Sequence, residues 1–176
     1  MVFIETRLKG AFTIEPELVQ DGRGFFARTF DQKEFEARGL NARVVQCNIS
    51  SNKKKGTLRG MHYQIAPYQE AKLVCCTKGA IYDVIIDLRP NSHTFKKWEA
   101  AELTATNRRM LYIPEGFAHG FQTLQDDTEV FYQMSEFYHP ESARGVRWDD
   151  RAFGIVWPDD VRVVSDRDRQ YPDFIS

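Results

Sequence analysis

Three kinds of motif are missing from this sequence, and each absence removes a class of function. No strand-to-helix turn carries the glycine-rich fingerprint that seats a dinucleotide, and no P-loop pattern occurs, so a bound nicotinamide or ATP is not expected. The cysteines, Cys47, Cys75 and Cys76, show no CxxC spacing. Adjacent residues on a strand point to opposite faces, so buried reduced thiols are the expectation. No apolar run approaches the ~20 residues of a membrane span. The opening segment MVFIETRLKG is broken by Glu5, Arg7 and Lys9; it lacks the apolar stretch of a signal peptide, which makes a cytoplasmic chain the expectation.

Excess charge is missing as well: Lys plus Arg number 24 against 25 Asp plus Glu. The one dense basic cluster, Lys53-Lys54-Lys55, sits before Gly56 in what reads as a turn. A solvated loop is the simplest reading, and neither a nucleic acid nor a membrane partner is indicated. Internal repeats, low-complexity tracts and linkers are absent too. With 176 residues, 42% of them hydrophobic and 13% aromatic, residues 1–176 are expected to fold as one domain around one sizeable core.

What is present is a series of short segments rich in Val, Ile, Phe, Tyr and Thr, separated by turn residues. They are AFTIEPELV (11–19), ARVVQCNIS (42–50), AKLVCCTKG (71–79), AIYDVIIDL (80–88), RMLYIP (109–114), GFQTL (120–124) and TEVFYQMS (128–135). This spacing predicts a mostly β chain, an antiparallel sandwich or barrel. Only DQKEFEARGL (31–40) reads as a helix, with Asp31 as N-cap and Gly39 at the stop position. The polar stretch 157–174, bracketed by prolines, predicts an irregular tail wrapping the barrel, able to deliver a charged side chain to a site.

Two histidines stand in patterned surroundings: His62 in RGMHYQ and His119 in PEGFAHGF. The run from His62 through Glu70 and Lys72 to Gly79 has the outline of the first motif of cupin barrels, which usually binds a metal through H-x-H and a downstream Glu. Here Gln64 takes the place of the second histidine. His62, His119 and Glu70 with a neutral amide make a poor mononuclear site, so no metal is expected. An imidazole free of metal suits general acid–base work near neutrality and needs an orienting carboxylate. Asp83, Asp87, Asp166 and Asp168 are all candidates, and spacing does not choose among them. Lys72 either points inward, where its charge would stabilise an oxyanion, or outward from a strand edge. Arg23, between the glycines of DGRGFF, is either a solvent-facing turn residue or a fork for a phosphate.

Taken together, DGRGFF, KGTLRGMHYQ, KLVCCTKGAIYDVIIDLR, TFKKWEAAELTATNRRMLYIPEGFAHGFQTL, EVFYQMSEFYHPESARGVRWDD and GIVWP…VSDRD resemble, in order and over nearly the whole chain, the dTDP-4-dehydrorhamnose 3,5-epimerase family. The resemblance implies a cupin-type jelly roll (double-stranded β-helix) with a few short helices. It implies a homodimeric isomerase of dTDP-rhamnose and surface-polysaccharide biosynthesis that epimerises a dTDP-linked 4-keto-6-deoxyhexose at C3 and C5 without a cofactor. A relative inverting one carbon and a non-catalytic sugar-binding cupin are the alternatives.

By the same resemblance His62 is the base, Asp168 its carboxylate partner, Tyr132 the proton donor on the opposite face, and Lys72 lies near the C4 oxygen. Arg23 and Arg59 would hold the diphosphate. Phe26, Gln46, Asn48, Tyr138 and Glu141 fall among the substrate-binding positions, and His119 is a supporting group partnered by Asp83. The stretch QCNIS (46–50) departs from the family, many members of which have an acidic residue where Cys47 stands and a histidine where Ile49 stands. The alternation in VFIETRL, which an isolated terminal strand would not stabilise, adds the expectation that N-terminal strands pair across chains.

Overall fold

The structure, a computed structural model, describes residues 1–175. It is the expected antiparallel jelly roll of two facing sheets. In chain order the strands are β1 (Val2–Glu5), β2 (Phe12–Glu15), β3 (Val19–Asp21), β4 (Gly24–Phe26), β5 (Gln46–Asn52), β6 (Leu58–Gln64), β7 (Lys72–Lys78), β8 (Ala80–Asp87), β9 (Trp98–Thr104), β10 (Met110–Ile113), β11 (Phe117–Thr123), β12 (Thr128–Met134) and β13 (Ala143–Gly145), with helices α1 (Gln32–Glu36) and α2 (Asp166–Arg169). One sheet runs β1-β2-β10-β7-β12-β5, the other β13-β6-β11-β8-β9, and β3-β4 forms a separate hairpin.

The core between the sheets holds Val74, Ile81, Ile85, Leu111, Phe121 and Val130. Outside the first sheet, α1 lays Phe35 against Ile14, Leu73 and Tyr112. Outside the second, the tail places Phe153, Trp157 and Phe174 over Val84 and Ile86. Strand β8 is therefore covered on both faces, which is why it reads as a nearly continuous apolar run.

Several expected boundaries move for local reasons. The segment 11–19 splits into β2 and β3, with Pro16, which has no N–H to donate, between them. Pairing in 42–50 starts only at Gln46. In the helix, Asp31 caps by accepting from the N–H groups of Lys33 and Glu34 as expected, but regular turns stop at Glu36, and Gly39 at φ +70° turns the chain away. The tail is not wholly irregular, since it contains α2. Cys75 and Cys76 point to opposite faces, one half-buried and one buried, whereas Cys47 is exposed on edge strand β5 and corrects the expectation of three buried thiols. The N-terminal strand is not isolated: β1 pairs with β2 of its own chain, Phe3 opposite Ile14, so it needs no second chain to form.

Candidate active site

A cavity of about 880 Å³ opens between the two sheets. His62 and His119, remote in sequence, are direct cross-strand neighbours on β6 and β11. Close approach of these strands depends on a glycine pair. A Cβ on Gly60, at φ +143°, would come 2.5 Å from the Gly120 Cα, so no larger residue fits there without moving the histidines' strands.

His62 Nε2 lies 2.7 Å from Asp168 Oδ1, and the other carboxylate oxygen accepts the Gly60 N–H at 3.3 Å. Asp168 arrives from α2, whose N-cap Ser165 accepts the Asp168 N–H at 3.1 Å. Burial pulls the Asp168 carboxyl upward, but the His62 hydrogen bond and charge, the Gly60 N–H and the Ser165 hydroxyl outweigh it and hold the group below its ordinary value. A carboxylate is thus fixed against an imidazole that remains 43% exposed to the cavity. His119 pairs with Asp83 at 2.5 Å on the same wall. Of the four candidate carboxylates, then, Asp168 serves His62, Asp83 serves His119, and Asp87 is occupied by Arg89.

The facing sheet supplies the other groups. Tyr132 on β12 stands in register with Asn48 of β5, and both line the cavity. Burial raises the Tyr132 phenol above its ordinary value, with the Arg59 charge opposing, so the hydroxyl keeps its proton at neutral pH. Lys72 points inward and is 8% exposed; its Nζ is 2.6 Å from Glu70 Oε1, while Glu70 Oε2 accepts the Gln64 N–H at 3.1 Å. The Gln64 amide is itself engaged, donating to the carbonyls of Tyr68 and Phe137 and accepting the His139 N–H. Glu70 and the Gln64 amide are thus each held at both ends by protein partners, and among the described residues no three His, Cys, Asp or Glu side chains converge on one point.

Gln46, Arg59 and Tyr138 also line the cavity. Three expected binding residues do not. Arg23 is exposed on the β3-β4 hairpin, its guanidinium 2.6 Å from Asp21; Phe26 is 68% exposed beside it; Glu141 is exposed and paired with His139. Cys47 and Ile49 alternate with Gln46 and Asn48 on the exposed side of β5, where Cys47 does not line the cavity and Ile49 reaches its rim. Sequence reasoning missed Arg144 and Arg167, two further cations of the lining. Arg167 immediately precedes Asp168 in SDRD, and that adjacency was the available signal. Its guanidinium is held above its usual pKa chiefly by Tyr138 and Tyr171.

A jelly roll whose cationic cavity sets an Asp-held histidine on one sheet against a protonated tyrosine and a buried lysine on the other belongs to the class of acid–base sites on cupin-type barrels. Comparison with known proteins narrows the class. The family model for dTDP-4-dehydrorhamnose 3,5-epimerase matches residues 5–176. The dTDP-4-dehydrorhamnose 3,5-epimerase of Shigella flexneri is 43% identical over 176 residues, covering 99% of this chain and 97% of that protein. The crystal structure of the Bacillus anthracis enzyme of that name, with TDP and PPi bound, superposes with a TM-score of 0.94 at 43% identity over 98% of this chain and 99% of the other. The Legionella pneumophila dTDP-6-deoxy-D-glucose-3,5-epimerase, in complex with dTDP-4-keto-L-rhamnose, gives 0.90 at 37% identity over 97% and 90%. The chain belongs to the dTDP-4-dehydrorhamnose 3,5-epimerase family.

Proposed function

We propose that this protein epimerises C3 and C5 of a dTDP-linked 4-keto-6-deoxyhexose, converting dTDP-4-dehydro-6-deoxyglucose to dTDP-4-dehydrorhamnose. The observation that carries the reading is the Asp168-held His62 on one sheet facing Tyr132 and Lys72 on the other. The 4-keto group acidifies the hydrogens on both neighbouring carbons. Asp168 keeps a proton on Nε2 of His62 and leaves Nδ1 as the base that removes the α-proton. Lys72 stabilises the enolate oxygen that forms at C4. Tyr132 then protonates the carbon from the opposite face, and the configuration inverts. His62 then gives its proton to solvent and Tyr132 takes one back, and the reset pair acts at the second carbon. Electrons return to the carbon they left, so no redox partner is needed, and His62, Lys72 and Tyr132 supply base, electrophile and acid without a metal.

Arg59 takes the diphosphate, and Gln46, Asn48, Tyr138 and His119 line the nucleotide and sugar positions. Arg23 and Phe26 lie outside their own chain's cavity, so they contribute from a second copy: the active form is a homodimer in which the hairpin of one chain closes the cavity of the other. Residues 1–176 act as one cytoplasmic epimerase domain in a deoxysugar pathway leading to surface polysaccharide. Incubation with dTDP-4-dehydro-6-deoxyglucose in heavy water tests the activity. Deuterium is expected at both C3 and C5 with inversion at each; incorporation at one carbon alone would make the protein a single-carbon epimerase, and at neither, a binding protein.

A further inference from the structure

Asn52, the last residue of β5, is 2% exposed although its side chain is fully polar. Its Nδ2 is committed to acceptors, the Ser50 carbonyl at 3.1 Å and the Thr128 carbonyl at 3.3 Å. That commitment fixes which way the amide faces, because both neighbours are carbonyl oxygens and only the amino end can meet them. The oxygen is therefore turned to β6, where it accepts the Nε–H of Arg59 at 2.8 Å. Arg59 is otherwise exposed to the cavity, and its terminal nitrogens make no hydrogen bond or ion pair among the described residues. A long side chain that would sample many rotamers is thus tied at Nε with its two-pronged end left open.

We propose that Asn52 is a positioning residue for nucleotide binding, holding the Arg59 guanidinium so that its terminal nitrogens grip a diphosphate as a fork. The proposal rests on the epimerase reading, which makes the ligand a nucleoside diphosphate sugar. A purely structural Asn52 would serve only through its Nδ2 bonds to Ser50 and Thr128. The Oδ1 bond to Arg59 adds nothing to strand pairing, and its effect is confined to ligands that carry phosphate. Preorganisation of this kind lowers the ordering cost of binding without adding a contact.

Calorimetry with dTDP and with thymidine separates the two roles. Asn52→Leu should weaken dTDP by roughly fivefold or more, a charged-group hydrogen bond's scale reduced because Arg59 itself remains, and leave thymidine within about twofold. Equal weakening of both ligands, or unchanged dTDP, overturns the proposal. Arg59→Lys supplies an independent reading on an exposed residue should Asn52→Leu fold poorly, since it keeps the charge but has no Nε to tie. Its dTDP affinity should fall nearly to that of Arg59→Ala; affinity near wild type overturns the proposal. Wild-type protein that binds neither ligand overturns the nucleotide reading itself, and this inference with it.

Discussion

At the scale of single residues, a histidine that acts as a base and one that fills a core differ in what their loss removes. His62 is 43% exposed and bonded only at Nε2 to Asp168, so its replacement costs little packing. His62→Asn is expected to melt within a few degrees of wild type and bind dTDP normally, while turnover falls by about two to four orders of magnitude. Tyr132→Phe keeps the ring and removes the donor, so in heavy water it should still exchange the α-protons through His62 while net inversion is lost. Near-normal epimerisation by His62→Asn would reassign the histidine to structure, and inversion keeping pace with exchange in Tyr132→Phe would remove Tyr132 as the donor. The sequence made His62 and His119 visible through their local patterns. It did not pair His62 with Asp168 by any pattern, because the partners are 106 residues apart and meet only once the tail has folded back; resemblance alone supplied that pairing. Asn52 gave no signal, since a buried asparagine at a strand end looks like any turn-forming residue until its partners are known.

At the scale of elements, β8 carries its own acid-sensitive clamp. Asp87 closes the strand fully buried, accepting from Arg89 at 2.8 and 2.9 Å, Ser92 at 2.5 Å and Thr94 at 2.6 Å. Burial alone would raise its carboxyl, but these donors outweigh it and bring the pKa down to about 2. A depressed folded-state value means that the stabilisation is complete above the unfolded value near 3.8 and is lost as pH falls through about 2. The shift corresponds to about 2 kcal/mol at neutral pH. Urea unfolding followed from pH 6 to pH 2 should show that loss in wild type. Asp87→Asn should start less stable at pH 6 and lose correspondingly less on acidification; parallel curves for the two proteins would assign the acid response elsewhere.

Strands β8 and β12 were readable because β-branched and aromatic residues dominate them. Strand β9 was not: WEAAELT is rich in Ala and Glu, and as the edge of its sheet it needs only a pairing neighbour, β8, to be a strand. Strand pairing overrode propensity there.

At the scale of the whole molecule, the β3-β4 hairpin is the element on which the proposed dimer turns. It stands apart from both sheets, exposes Val19 and Phe26 at 67% and 68%, and is steadied at its base by Arg108 lying 4.1 Å over the Phe25 ring. A lone two-stranded ribbon is marginally stable in water, and burying its exposed apolar side chains against a partner would stabilise it. If the hairpin acts across the dimer, each cavity takes its His62 from one chain and its Arg23 from the other. Arg23→Ala and His62→Asn proteins should then each be nearly inactive alone. Unfolded together, mixed in equal amounts and refolded, they should recover about a quarter of wild-type activity. Half of randomly assorted dimers are mixed, and one of the two cavities in a mixed dimer is intact. A hairpin serving its own chain would leave every cavity in the mixture defective, and the mixture would be no more active than its parts.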